Sequence, residues 1–432
     1  MSAQMARLVR RQVRTECGDD VLVDQLLVSY CEGWDAGGRR AVGPLSAARA
    51  EERDRDGEQY TVLLSLGERP TATIDVAWTE HYCAVWLFDE RLRRRYQAEF
   101  RRLAQDRMFL AHARRWDYGD DAQAEFDERA VTRTVTISLD GRMTIEDRPE
   151  GRCGGLAVTN QNVSPEDCWD VVPVFGEWRR LVETVFRAIG YDAAPDLVLH
   201  DASDPQGQGL SADERPWRPP RPLRPAPLEP MFAKGTRYRL EHGAEVVVET
   251  RQAGALRMTS GMPAAADPGW LRPDVAPFTA AVAAGEYPVE LSLIRFAAEP
   301  GHRRVAAARL TVRDEPVASW ELALRPDQDP RLLGDGEFFG FGVDAGMGCF
   351  VDAEAAEALA DIVEETYEDA FEDLLSDQAV EVSDPATGAN LIAFPSGWGD
   401  GAYPTWIGRT TDGEVACFVA DMLVLHTATM LS

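Results

Sequence analysis

The sequence predicts an α+β fold in two domains. Short apolar runs that alternate with polar residues recur along the chain and predict antiparallel strands. Three stretches with helical apolar spacing predict helices in the N-terminal half. A proline-rich segment at residues 216–230, PWRPPRPLRPAPLEP, is typical of an extended linker. We therefore predict an α+β domain with an antiparallel sheet at residues 1–193 and a linker at 194–233. Residues 234–432 are predicted to form a mostly antiparallel β domain, sandwich-like or a bent sheet, with one long acidic helix.

Composition narrows the classes of function. The 432 residues carry a net charge of −28, which repels nucleic acid and anionic membranes and attracts a basic protein. The predicted partner is therefore a basic protein, with no nucleic acid and no membrane. The seven cysteines include no C-x-x-C pair, and no signal segment or apolar run of about 18 residues is evident. We expect a reduced, cytoplasmic protein.

The N-terminal half opens with helical spacing over residues 1–50. A β-meander is expected next, because Tyr60–Leu66, Thr71–Trp78 and Tyr82–Phe88 alternate and are separated by turns. Residues 91–105, which include LRRRYQAEFRRLAQ, are predicted to form a basic amphipathic helix.

The rest of this half is predicted to contain strand, hairpin and helix in turn. A strand is expected at residues 108–118. Asp140–Gly141 is typical of a tight turn and predicts a hairpin between residues 130–139 and 143–147. Val174–Ile189 is amphipathic and predicts the closing helix.

The C-terminal half is predicted to be rich in strands, with a second hairpin at Asp412–Gly413. The expected strands are Arg237–Leu240, Glu245–Thr250, Leu256–Thr259, Val289–Phe296, Arg304–Val312 and Val317–Leu324. Asp352 is expected to cap the acidic helix, predicted over residues 353–375. Its acidic side is either an ordinary solvated face or a docking surface for a basic partner.

Two glycine-rich stretches flank that helix, FFGFGVDAGMGCFVD at Phe338–Asp352 and the segment Pro395–Met422. Glycine within a strand marks a bend or a close approach by another backbone or a ligand. The aromatic residues of the two stretches would cluster if the stretches were adjacent, and any exposed subset would make a recognition patch. These aromatic residues are Phe338, Phe339, Phe341, Trp398, Tyr403 and Trp406.

The same stretches supply the candidate site. The candidate ligand-binding residues are Asp344, Gly346, Ser396, Trp398, Asp400 and Tyr403. Asp344 and Asp400 are also the candidate ligands of a divalent cation, since hard cations favour carboxylate oxygens. The competing explanation is that Asp-Gly pairs simply form turns. No catalytic residue is predicted, because the chain carries no phosphate-binding loop and no G-x-S-x-G motif.

Five segments in the C-terminal half carry a resemblance to a known family. They are GALRMTSGMPAAAD, GEYPV, WELAL, FGFGVDAG and SGWGDGAYP, in that order between Gly254 and Pro404. Over about residues 237–432 the chain resembles the bacterial domain-of-unknown-function family 4241. The resemblance implies no activity, and the N-terminal half lies outside it.

Two hypotheses of function remain. The first is a non-catalytic, cytoplasmic protein-binding protein, of which an immunity- or antitoxin-like protein is one form. The alternative is a metal- or small-ligand-dependent enzyme that uses the Gly/Asp-rich loops of the C-terminal domain.

Overall fold

The computed structural model describes residues 25–119, 122–149, 156–189, 196–200, 210, 214–371 and 378–431. The chain forms two compact units, Met1–Pro219 and Pro220–Ser432. The protein is mostly β, with 47% strand, 13% helix and three sheets. The described residues include three α-helices, none longer than 16 residues. The predicted α+β class with a long acidic helix is therefore wrong.

The first unit is built on one twelve-stranded sheet. Its long run is an antiparallel meander in the order β10-β9-β8-β7-β6-β5-β4-β3-β1, with β12 added parallel to β1. Two short strands join at the side, β2 on β1 and β11 on β7. The strands are β1 (Gln25–Asp35), β2 (Arg40–Leu45), β3 (Tyr60–Leu66), β4 (Arg69–Ala77), β5 (Tyr82–Phe88), β6 (Arg94–Arg102), β7 (Arg107–Asp117), β8 (Val131–Ile137), β9 (Arg142–Arg148), β10 (Ala157–Asn162), β11 (Trp169–Val171) and β12 (Asp196–Leu199).

Two helices accompany this sheet, α1 (Ala47–Asp56) and α2 (Arg179–Ile189). Trp178, immediately before α2, is fully buried, and its ring lies 6.4 Å from that of Tyr60 on β3. Leu181, Val182 and Val185 of α2 are buried as well. The apolar core of this unit therefore includes the apolar side of α2, as the amphipathic pattern of residues 174–189 predicted.

Two helix predictions in this unit are wrong. Residues 91–105 contain the strand β6, in which residues 96–101 are all buried and the apolar Tyr96, Ala98 and Phe100 alternate with polar residues at the two-residue spacing of a strand. Their charged neighbours obscured that alternation. Of residues 1–50, residues 1–24 lie outside the described part, residues 25–45 contain β1 and β2, and the helix α1 begins only at Ala47.

The proline-rich segment is divided between the two units, and each part makes contacts within its own unit. Trp217 in the first unit donates its indole N–H to the Thr61 hydroxyl (2.8 Å), and its carbonyl accepts from Gln59 Nε2 (2.6 Å). In the second unit, the Leu223 amide donates to the Glu337 carbonyl (2.9 Å), and Leu228 and Met231 are buried.

The second unit contains a nine-stranded and a four-stranded sheet. The larger has the order β18-β23-β24-β17-β16-β14-β13-β25, with β19 paired to β23, and the smaller is β15-β20-β22-β21. The strands are β13 (Arg237–Arg239), β14 (Glu245–Met258), β15 (Pro263–Ala266), β16 (Gly285–Phe296), β17 (Arg303–Thr311), β18 (Ser319–Leu322), β19 (Gly340–Val343), β20 (Met347–Asp352), β21 (Val380–Ser383), β22 (Asn390–Pro395), β23 (Gly401–Arg409), β24 (Val415–Asp421) and β25 (Thr429–Leu431). All the strand pairs described among them are antiparallel.

The acidic helix is shorter than predicted. Helix α3 (Ala356–Phe371) follows a single 3-10 turn over residues 353–355, and residues 372–377 lie outside the described part. The predicted cap is present, because the Asp352 carboxylate accepts from the Glu354 amide (3.2 Å) and the Ser260 amide (2.7 Å). Leu359 and Val363 are buried, whereas the acidic side is exposed at Glu354, Glu357, Asp361, Glu364 and Glu365.

Across the described residues, each helix is too short or too polar to cross a membrane.

Candidate functional site

The two glycine-rich stretches are adjacent in the structure. Strand β19 pairs with β23, with Gly340 opposite Pro404 and Val343 opposite Gly401. Strand β20 pairs with β22, with Met347 opposite Pro395. The Ser396 amide then donates to the Gly346 carbonyl (3.0 Å) where the two stretches leave their strands. The condition for the aromatic cluster, that the two stretches be adjacent, is therefore met.

The segment 396–400, here called the Trp398 loop, is held by its own hydrogen bonds. The Gly399 carbonyl accepts from the Ser396 hydroxyl (2.6 Å) and from the Tyr403 hydroxyl (2.7 Å). Gly397 has a φ of +71°, and a Cβ there would lie 2.8 Å from the Val305 carbonyl oxygen. Only glycine fits that position without a shift of the β17 backbone. The loop is therefore fixed on a rigid sheet.

The Trp398 loop presents one large aromatic side chain to solvent. Trp398 is 53% exposed, with the Phe296 ring 6.5 Å away and the Arg304 guanidinium carbon 5.9 Å from its own ring. The other predicted aromatic residues are more deeply placed. Phe341, Tyr403 and Trp406 are buried, and Phe338 and Phe339 are half-buried. The predicted aromatic cluster is thus mainly core, and its exposed part is Trp398.

The two candidate carboxylates lie at the end of the β19–β23 ladder. Val343 pairs with Gly401, so Asp344 and Asp400 are the next residues on either strand, and both are exposed. A distant residue, Asp267, holds the turn after β19, because Asp267 Oδ2 accepts from the Asp344 amide (2.7 Å) and the Ala345 amide (2.9 Å). Asp267 is itself buried and also accepts from the Gly269 amide (2.8 Å). It holds the Asp344 backbone in place.

Among the described residues, these two carboxylates are not part of a larger cluster of metal-binding side chains. Within the described ranges, no group of three or more His, Cys, Asp or Glu side chains is placed to hold a metal ion. Asp344 and Asp400 instead contribute two exposed negative charges at the end of one ladder.

A second feature, on the sheet of the first unit, was missed in the sequence. One side of this sheet, here called the polar face, carries side chains in register across eight strands, and the side chain is polar on seven of them. One row passes directly from strand to strand through paired residues. Its members are Thr61, Asp75, Ala84, Glu99, His112, Thr136, Thr144 and Asn160.

The half of the polar face over β3 to β7 is buried and hydrogen-bonded. Glu99, only 2% exposed, accepts from Arg101 Nη2 (2.6 Å) and from Gln97 Nε2 (3.0 Å). Asp75 accepts from the Thr61 hydroxyl (2.8 Å), and burial raises the pKa of the Asp75 carboxyl to about 6. Buried polar groups are costly unless they are paired, so this half is a structured network.

The other half of the polar face, over β7 to β9, is open to solvent and forms a cavity of about 200 Å³. It is lined by Trp116, Thr132, Thr134, Glu146, Arg148 and Leu156. The signal in the sequence is period-two alternation, with polar residues at 132, 134 and 136 and again at 144, 146 and 148. The alternation predicts strands, but only the pairing register shows that these residues share one face.

The structure therefore defines a mostly antiparallel β protein of two units, with an exposed tryptophan loop in the second. The C-terminal part of the chain carries a known domain: residues 256–420 match the family DUF4241, described as a protein of unknown function. This confirms the family resemblance of the C-terminal segments, and no family matches the N-terminal half.

Other comparisons add little. No curated protein matches the sequence at a significant level. A solved structure of a tryptophan-to-alanine mutant of the vaccine antigen transferrin binding protein B from Haemophilus parasuis is 9% identical, with a TM-score of 0.12. The match covers 84% of this chain and 66% of that chain, just under two thirds of its length. A TM-score this low does not establish a shared fold.

Proposed function

We propose that this protein is a non-catalytic binding protein that binds a basic protein partner through the Trp398 loop. The observation that supports this most is a tryptophan that is 53% exposed on a backbone locked by hydrogen bonds and by a glycine with no room for a side chain. Tryptophan is enriched among the few residues that carry most of the binding energy in protein interfaces.

Rigidity supports the proposal because a preformed loop loses little conformational entropy on binding. The Ser396 and Tyr403 hydroxyls both hold the Gly399 carbonyl, and Tyr403 is buried on β23. Trp398 is therefore presented in one backbone conformation before any partner arrives.

Charge supports a basic partner. Asp344 and Asp400 are exposed at the end of the β19–β23 ladder, and Asp400 is two residues from Trp398. The whole chain carries a charge of −28, which accelerates encounter with a cationic surface. The described cysteines, all buried, are free thiols, which fits a role in the reducing cytoplasm.

The test is native mass spectrometry of the full chain after gentle purification from its own host. We expect a stoichiometric basic companion with the wild-type protein and its loss from the Trp398→Ala variant. Trp270→Ala is the matched control, because Trp270 is 68% exposed and lies in the same unit. The control should retain the companion.

Three results would contradict the proposal. One is a companion that survives Trp398→Ala. Another is an equal loss in both tryptophan variants, which would indicate a nonspecific apolar contact. The third is a chain that carries no companion but a cation or small molecule that disappears in the Asp344→Ala/Asp400→Ala variant. That last result would favour the metal- or ligand-dependent alternative.

A further inference from the structure

We infer that the open half of the polar face of the first unit is a binding site for a saccharide. The site is the cavity of about 200 Å³ on strands β7 to β9, and it is separate from the Trp398 loop of the second unit. A volume of this size far exceeds the roughly 10–15 Å³ that one water needs, so it leaves room for a small ligand such as a single sugar ring.

The cavity combines one flat aromatic wall with a hydrogen-bonding floor. Trp116 pairs with Thr132, and Thr132 pairs with Arg148, so these three side chains form one row. Thr134 and Glu146 pair in the row beside it. Hydroxyl, carboxylate and guanidinium groups thus surround the indole on one surface.

The aromatic wall is rigid. The Trp116 ring lies 4.7 Å from the Phe126 ring and 6.0 Å from the Trp86 ring, against which it stacks. The Arg94 guanidinium covers both Trp86 and Phe126, and Glu125 holds Arg94 through two side-chain hydrogen bonds of 3.0 Å. A planar ligand face would therefore meet a preorganised ring, which lowers the entropy cost of binding.

The chemistry of the lining selects the ligand class. A sugar ring has an apolar C–H face that packs on an indole and a rim of hydroxyls that both donate and accept hydrogen bonds. The Thr132 and Thr134 hydroxyls donate and accept, Glu146 accepts and Arg148 donates. One carboxylate offsets one guanidinium, so the lining has no excess of positive charge for a phosphate. It also lacks the continuous apolar surface that a lipid requires.

The buried half of the polar face lies beside this site on the same side of the sheet and stabilises the strands that carry it. Arg114, next to Trp116 on the same side of β7, donates to Gln97 Oε1 (3.3 Å), and Gln97 donates in turn to the buried Glu99 (3.0 Å). The network keeps the strands that carry the cavity in a fixed register. Buried ion pairs contribute little net stability, so stability alone does not explain why this sheet buries charged residues.

The experiment is a ligand titration of the full chain, followed through the indole N–H signals in ¹H–¹⁵N NMR spectra. The probes are a panel of neutral hexoses, N-acetylhexosamines and uronic acids at millimolar concentration. We expect at least one of them to shift the Trp116 signal, assigned by its loss in Trp116→Phe. The Thr132→Val/Glu146→Gln variant should bind it at least tenfold more weakly, because it loses the Thr132 hydroxyl and the charge that strengthens a hydrogen bond to Glu146.

The matched control is Thr159→Val on β10, which is exposed on the opposite side of the same sheet. It repeats the threonine-to-valine change of the variant away from the cavity and should leave the affinity unaltered. Two outcomes overturn the inference. One is that no sugar of the panel shifts the Trp116 signal, and the other is equal weakening by the control. Neither outcome depends on the Trp398 loop, so failure here leaves the proposed function to its own test.

Discussion

Replacement of Gly397 by alanine tests whether the Trp398 loop is held as rigidly as the contacts indicate. A Cβ at this position would lie 2.7 Å from Val424 Cγ2 and 2.8 Å from the Val305 carbonyl oxygen. The φ of +71° adds the cost of a left-handed conformation, about 1–2 kcal/mol for a residue with a Cβ. Overpacking adds about 1–3 kcal/mol. We therefore expect a loss of roughly 2–5 kcal/mol in the stability of the strands that carry the loop.

Gly346→Ala separates the two contributions. Gly346 has nearly the same φ, +68°, but a Cβ there would meet no heavy atom within 4 Å. It should cost only the conformational part, about 1–2 kcal/mol. The difference between the two variants is then the steric cost at Gly397 alone.

The measurement is amide hydrogen exchange of β23 and β24, because these strands follow the loop and pair with each other. A difference of about 1.4 kcal/mol corresponds to a tenfold change in exchange rate when opening is in rapid equilibrium. Equal exchange in Gly397→Ala and Gly346→Ala would refute the reasoning. It would mean that Val305 and Val424 move aside at no cost, and that the loop is not fixed by close packing.

Two further predictions concern buried charges. Burial raises the pKa of Asp421 from 3.8 to about 6, so the folded state binds more protons than the unfolded state. Stability should therefore fall by about 2 kcal/mol as pH rises from about 4 to about 6. In thermal unfolding, the stability of Asp421→Asn should fall clearly less over this pH range than that of the wild-type protein. The raised pKa of Asp75 accounts for the fall that remains. A pH dependence equal to that of the wild-type protein would contradict the role given to Asp421. In the first unit, Glu99→Gln should cost about 3–5 kcal/mol because it leaves the buried Arg101 guanidinium without its carboxylate. Glu146→Gln, at an exposed position on the same face, should change stability by less than about 0.5 kcal/mol, and similar losses in calorimetry of both variants would be evidence against a costly buried pair.

Some of this architecture is determined by the sequence itself. The strands Tyr60–Leu66 and Tyr82–Phe88 were predicted with the bounds that the structure has, and the turn at Asp412–Gly413 lies between β23 and β24. Asp352 caps the turn that leads into α3 as expected. These features depend on neighbours within a few residues, where turn geometry, capping and period-two alternation act directly.

Other features were decided only by the tertiary structure. Residues 91–105 carry a spacing that suits either a helix or a strand, and pairing with β5 and β7 makes Arg94–Arg102 a strand. The polar face depends on the register of strands that are far apart in sequence, so no single stretch reveals it. Trp398 and Trp406 occupy similar glycine- and aromatic-rich sequence, yet one is 53% exposed and the other 2%. Trp398 lies in the loop between β22 and β23, whereas Trp406 lies within β23 and packs in the core. That difference depends on nonlocal packing free energy.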